Sequence, residues 1–213
     1  SGTNLQSIIN ACEAGKIDAE VAVVISNRAE AFGLERARKH GIPALHIPVG
    51  RNETPEYEIA DREQTRALRD HGVGLVCMAG YLRKAGPSVL ETFAGAVMNI
   101  HPALLPAFPG VKVQWAAVEY GVRISGCTVH FADPEFDRGP IIIQAAVPVL
   151  QEDDGEALAK RILQCEHRIY PQAIQWFVAG RLSLDGRHVF VDDARAGSWR
   201  DGALFSPALE LDL

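Results

Sequence analysis

Asn99 and His101 stand two residues apart at the end of a short apolar run, just before a loop with prolines at 102, 106 and 109. On extended backbone, alternate side chains share a face, so the carboxamide and the imidazole point to one side. A carboxamide donor and an imidazolium aimed at one point are the groups that a developing oxyanion requires. Either residue alone reads equally as a satisfied structural polar group. Asp137 lies in the turn Asp137-Arg138-Gly139-Pro140 and adds a carboxylate able to hold an imidazolium in its charged form. The same Asp-x-Gly-Pro string is also ordinary turn chemistry. His130, inside an apolar strand pattern, reads as a packed histidine.

Ser1-Gly2-Thr3-Asn4 precedes the helical spacing of Leu5, Ile8, Ile9 and Cys12. A small-residue turn entering a helix presents free N–H groups and the positive end of the helix dipole, which suits a phosphate. Ser, Thr and Asn are also the preferred plain N-caps, so both readings stand. Other constellations fail. Cys12, Cys77, Cys127 and Cys165 form no C-x-x-C pair and share no zinc spacing with the histidines. Neither a G-x-S-x-G elbow nor a G-x-x-x-x-G-K-[ST] loop occurs, and no metal is expected. Asp153-Asp154 and Asp192-Asp193 read as solvated caps or loop charges.

The elements that must position these residues follow from periodicity. Helices are predicted from Leu5 to a stop at Gly15, over 32–40 and 57–71, and briefly over 88–93. Strands are predicted over 21–25, 44–48, 73–79 and 96–100. This strict alternation implies an open, mostly parallel, doubly wound α/β sheet, in which ligands bind beyond the carboxyl ends of strands. Asn99 and His101 occupy such a place. After Gly126 the pattern changes to neighbouring strands over 127–132 and 141–149, a long helix over 154–179 and a hairpin-like stretch over 182–184 and 188–191, so an antiparallel C-terminal part is expected. A single domain is read over 1–193, with a loose tail over 194–213. Because the chain opens on a strand-to-helix turn, the first strand of a doubly wound sheet is read as missing ahead of Ser1.

The chain has 213 residues, 47% of them hydrophobic, and a formal net charge of −6. That length supports one core without staples, and the acidic balance argues against a nucleic-acid partner. The cysteines read as reduced thiols, no secretory leader is seen, and apolar runs such as 21–25 are far shorter than the roughly 20 residues a membrane span needs. The expected location is the cytoplasm, with neither membrane nor nucleic acid as partner and a monomer or homodimer as the assembly.

Gly2-Thr-Asn-Leu-Gln6, Ile25-Ser-Asn-Arg28, Ala31-Phe-Gly-Leu34, Met78-Ala-Gly-Tyr-Leu-Arg83, Asn99-Ile-His-Pro-Ala-Leu-Leu-Pro106, Phe108-Pro-Gly110, the run 126–131, Asp137-x-Gly-Pro140 and Glu166-His-x-Ile-Tyr-Pro171 occur in this order. Over about residues 1–185 the chain resembles the phosphoribosylglycinamide formyltransferases, most specifically from Asn99 to Gly110. The resemblance implies a Rossmann-like formyltransferase fold and transfer of the formyl group of 10-formyltetrahydrofolate, a co-substrate, to the amine of phosphoribosylglycinamide in purine synthesis. It implies a catalytic trio of Asn99, His101 and Asp137, with Asn99 also touching the folate. Gly2, Thr3 and Asn4 match the turn for the acceptor's phosphate, Glu166 a residue near its glycine end, and Leu82, Arg83, Lys84 and Ala85 the segment gripping the pterin half of the folate.

Departures are modest. Arg138 takes a place where glycine is common, Lys112 one where histidine is common, and the arginine that some members carry near Tyr57 has no clear counterpart. Two relatives by chemistry are disfavoured on length and charge, with the hydrolase kept as the alternative. A formyltetrahydrofolate hydrolase usually carries an extra N-terminal domain, and a methionyl-tRNA formyltransferase a C-terminal RNA-binding domain. A non-catalytic nucleotide-binding module is the alternative of another class.

Overall fold

The first helix, α1 (Thr3–Glu13), buries Ile8, Ile9 and Ala11, and the chain leaves it through Gly15 at φ 65°. The left-handed region there is open to glycine at little steric cost. A short strand β1 (Val24–Ser26), helix α2 (Phe32–Lys39) and strand β2 (Ala44–His46) follow, β1 and β2 pairing in parallel as a two-stranded sheet. Helix α3 (Pro55–Asp70) begins with Thr54 as N-cap, its side chain accepting the Tyr57 N–H, and Pro55 in the first turn. Proline fits there because its missing N–H would have no helical partner. The computed structural model describes residues 2–52 and 54–212, so Ser1 lies outside the described residues.

The second sheet carries the residues of interest. Strand β3 (Val76–Met78), helix α4 (Pro87–Thr92) and strand β4 (Val97–His101) form a parallel unit, with Met78 opposite Asn99. After helix α5 (Val113–Tyr120), strand β5 (Ile124–Phe131) lies antiparallel to β4, and β6 (Ile141–Pro148) antiparallel to β5. The sheet is open and mixed, parallel at β3–β4 and mainly antiparallel from β5 onward, as the change of pattern after Gly126 leads one to expect. Observed strands are shorter than predicted at 21–25 and 73–79, since an apolar run marks burial more widely than it marks pairing.

Helix α6 (Gly155–Val178) is the central core element. Leu158, Ile162, Ile169, Tyr170, Ala173 and Trp176 on it are fully buried in one cluster with Cys127 and Val129 of β5 and Ile143 and Ala145 of β6. Strands β7 (Leu182–Asp185) and β8 (His188–Val191) make a hairpin, and β8 touches β6 in parallel.

The loose tail expected after Asp193 is corrected by two further strands, β9 (Ser198–Arg200) and β10 (Ala203–Ser206). β10 pairs antiparallel with β6, burying Ala203 and Phe205, and β9 lies outside it. The alternation spans only four residues, too few to stand out in sequence. What fixes the end of the chain is remote: Gln172 Oε1 on α6 accepts the N–H groups of Glu210 (2.8 Å) and Leu211 (2.7 Å), and Arg181 pairs with Glu210 at 2.5 Å.

Tyr170 ties α6 to the two parallel strands. Its buried hydroxyl lies 3.1 Å from the Met78 carbonyl oxygen and 3.0 Å from that of Met98, residues that end β3 and precede Asn99. Removing one buried hydroxyl bond costs about 1 kcal/mol. Tyr170→Phe is therefore expected to lower the thermal midpoint by about 2–4 °C, read from a circular-dichroism melt.

Candidate active site at the carboxyl end of the fourth strand

The register of β4 on β5 sets the site. Asn99 stands opposite His130, and His101 opposite Thr128, so four polar side chains leave the same face of the sheet. His101, Thr128 and His130 are buried. Thr128 pins the proline-rich loop, its hydroxyl donating to the Ala103 carbonyl at 2.7 Å and accepting the Leu105 N–H at 3.1 Å. Gln144 on β6 adds a bond from Nε2 to the Leu105 carbonyl at 3.0 Å.

Asp137 comes to this face from the turn after β5. Its backbone is left-handed, at φ 56°, a region that Asp tolerates better than most residues and that recurs at functional sites. The carboxylate is buried. Oδ2 accepts the Gly110 N–H at 3.0 Å and lies 3.3 Å from Nδ1 of His101, and Oδ1 lies 3.9 Å from Nε2 of His130. The turn can close this tightly only through Gly139, because a Cβ there would overlap the Phe131 carbonyl. The other nitrogen of His101, Nε2, is 2.8 Å from the carbonyl oxygen of Phe108, itself at φ 50°. Both ring nitrogens of His101 thus face oxygen acceptors, which the doubly protonated ring satisfies together.

His130 is in the same cluster. Nδ1 donates to the Phe131 carbonyl at 2.8 Å, and burial lowers the ring's pKa, favouring the neutral form. Its Nε2 lone pair then accepts from Nδ2 of Asn99 at 3.2 Å. That contact fixes the orientation of the Asn99 amide and leaves its second N–H for another acceptor. A small cavity here is walled by Asn99, His130, Asp133, Asp137, Lys84 and Ala85. His101 stands behind the wall, buried against Asp137.

Asn4 and Glu166 form a second cluster, between α1 and α6. Asn4 Nδ2 donates to Glu166 Oε2 at 2.7 Å, and burial raises the Glu166 pKa against the opposing effect of that bond. Gly2 is left-handed at φ 66° and caps α1 without a side-chain bond, and Thr3 begins the helix. Of the segment 82–85, Lys84 and Ala85 reach the cavity, while Leu82 is exposed. Asn4 Oδ1 and Asp133 Oδ1 are buried and make no hydrogen bond within the described chain, so each cluster offers an acceptor to a ligand. A larger hollow lined by Cys12, Glu13 and His40 shares no residue with the cavity. No group of three His, Cys, Asp or Glu side chains among the described residues is placed to hold a metal ion.

Residues 1–174 match the family model described as formyl transferase. The chain belongs to the formyl transferase family. It is a formyltransferase by that membership, 40% identical to the phosphoribosylglycinamide formyltransferase of Escherichia coli K12 over 92% of this chain and 91% of that one. The crystal structure of glycinamide ribonucleotide transformylase 1 from Symbiobacterium toebii is 51% identical and superposes with a TM-score of 0.87, covering 91% of this chain and 90% of that one. A formyltetrahydrofolate deformylase from Pseudomonas syringae is 28% identical with a TM-score of 0.83, covering 91% of this chain but 63% of that chain. No helix among the described residues of this formyltransferase is long and apolar enough to cross a membrane.

His130, read from sequence as a packed histidine, is buried as expected yet lies within the cluster. The signal that could have found it was the pairing of β4 with β5, which no local pattern displays. Its lowered pKa sets a pH dependence. The unfolded ring titrates near 6.5 and the native ring below that, so between the two values the unfolded chain binds the extra proton. This contribution is fully present above pH 6.5 and is lost as pH falls toward the native value. His130→Asn is expected to flatten the acid side of the stability curve, read from urea midpoints at about pH 5.5 and 7.5.

Proposed function

We propose that this formyltransferase passes the formyl group of 10-formyltetrahydrofolate to the glycine amine of 5-phosphoribosylglycinamide, a step of purine synthesis. The names of the relatives support this choice of substrates. The observation that carries the mechanism is the meeting of Asn99, His101 and the buried Asp137 at the end of β4. The acceptor's neutral amine attacks the formyl carbon, and the carbonyl pair moves onto oxygen. As the tetrahedral intermediate collapses, the bond from carbon to N10 of the folate breaks. One proton passes from the attacking nitrogen to N10, by His101 or an ordered water.

The free N–H of Asn99 and the Nε2–H of His101 stabilise the oxyanion, with the Phe108 carbonyl standing where that ring N–H now points. Asp137 supports the imidazolium through Nδ1. Lys84 and Ala85, with Leu82 and Arg83 beside them, hold the pterin half of the donor, and the buried Asp133 oxygen suits its N–H edge. Gly2, Thr3, Asn4 and the α1 terminus take the ribose phosphate, while Glu166, which accepts a hydrogen bond from Asn4, takes the glycine amine end. Catalysis in this reading uses no metal, and its setting is the cytoplasm.

Losing one oxyanion donor lowers turnover by on the order of 10²–10³. Asn99→Ala and His101→Ala are each expected to reduce kcat by that factor, with the fold kept, in an assay that follows free tetrahydrofolate. Near-normal turnover in both would contradict the assignment. The likeness to a deformylase gives the second reading its test: release without the ribotide would mean hydrolysis, and no release at all a binding module.

A further inference from the structure

We infer that Asp61, on a helix outside the site, is a positioning residue for formyl-donor binding, because its buried carboxylate locks the loop that walls the cavity. This rests on the proposed assignment of the segment 82–85 to the donor. Asp61 is 5% exposed. Its Oδ2 accepts the Ser88 N–H at 2.7 Å and its Oδ1 the Val89 N–H at 3.2 Å, so a residue of α3 caps α4, whose own N-cap, Gly86, has no side chain to do so. The fit is close: a Cβ on Gly86 would overlap the Asp61 carboxyl.

The same face of α3 holds the loop elsewhere. Thr65 Oγ1 lies 2.9 Å from the Ser88 hydroxyl, Gln64 Nε2 donates to the Tyr81 hydroxyl at 3.3 Å, and the Tyr57 hydroxyl donates to the Lys84 carbonyl at 3.4 Å. Positions 57, 61, 64 and 65 fall on one side of a helix. The loop is thus fixed by β3 at one end and by α3 at the other, with Lys84 and Ala85 held between them against the cavity. Charge-assisted bonds to backbone N–H groups are the stronger kind, and such bracing preorganises a binding wall. The acceptor cluster at Asn4 and Glu166 takes no part in this bracing.

The test separates donor from acceptor. Asp61→Asn keeps the shape but sets an NH2 against a backbone N–H. It is expected to raise KM for 10-formyltetrahydrofolate about tenfold, while KM for the ribotide and kcat at saturation stay within about twofold. Gln64→Ala, on the half-exposed side of α3, is expected to give the same donor-selective rise, about threefold, and decides the matter if Asp61→Asn does not fold. Unchanged donor KM, or equal changes in both KM values, would overturn the inference while wild-type turnover leaves the proposed function standing. Absence of ribotide-dependent turnover in the wild type would overturn both.

Discussion

A carboxylate taken out of water organises this end of the molecule. Asp137 is buried beside two imidazoles, and an unpaired charge in such a place is strongly unfavourable. The Gly110 N–H and the His101 ring meet that need. To reach them the turn must carry Asp137 in left-handed backbone and pass Gly139 over the Phe131 carbonyl. The proline-rich loop must likewise bring Gly110 back toward β4, which Thr128 and Gln144 enforce. Local geometry that would otherwise be disfavoured is thus held by one carboxylate–imidazole contact and the Gly110 hydrogen bond.

The sheet makes this arrangement possible by its change of direction. A parallel neighbour, β3, delivers the loop with Lys84 and Ala85. An antiparallel neighbour, β5, delivers His130 opposite Asn99 and continues directly into the Asp137 turn. α6 crosses behind both, its Tyr170 hydroxyl bridging the carbonyls of Met78 and Met98 while Glu166 faces Asn4. One helix therefore touches the backbone beneath one cluster and supplies a side chain to the other. The proposed transfer between two substrates needs that kind of shared support.

Much of this was legible in sequence because its signals are local. Period-2 spacing put Asn99 and His101 on one face, Asp-x-Gly-Pro marked the turn, and alternation of strand and helix gave an open α/β sheet. What was not legible depends on pairing across distance. His130 looked like a core residue because it is one, and only the register on β4 gives its Nε2 a role. Asp61 stands among several other charged residues of α3, and its partners are backbone N–H groups of residues 88 and 89, which no local pattern displays. β9 and β10 were hidden by their brevity and by the remoteness of Gln172, which holds the segment that follows them.

The most direct measurement is a crystal structure with a donor analogue trapped as a tetrahedral adduct. The account predicts the adduct oxygen about 2.7–3.1 Å from both Asn99 Nδ2 and a ring nitrogen of His101, with Asp137 kept on the other ring nitrogen. An adduct oxygen turned away from these two donors, toward solvent or another part of the cavity, would contradict it.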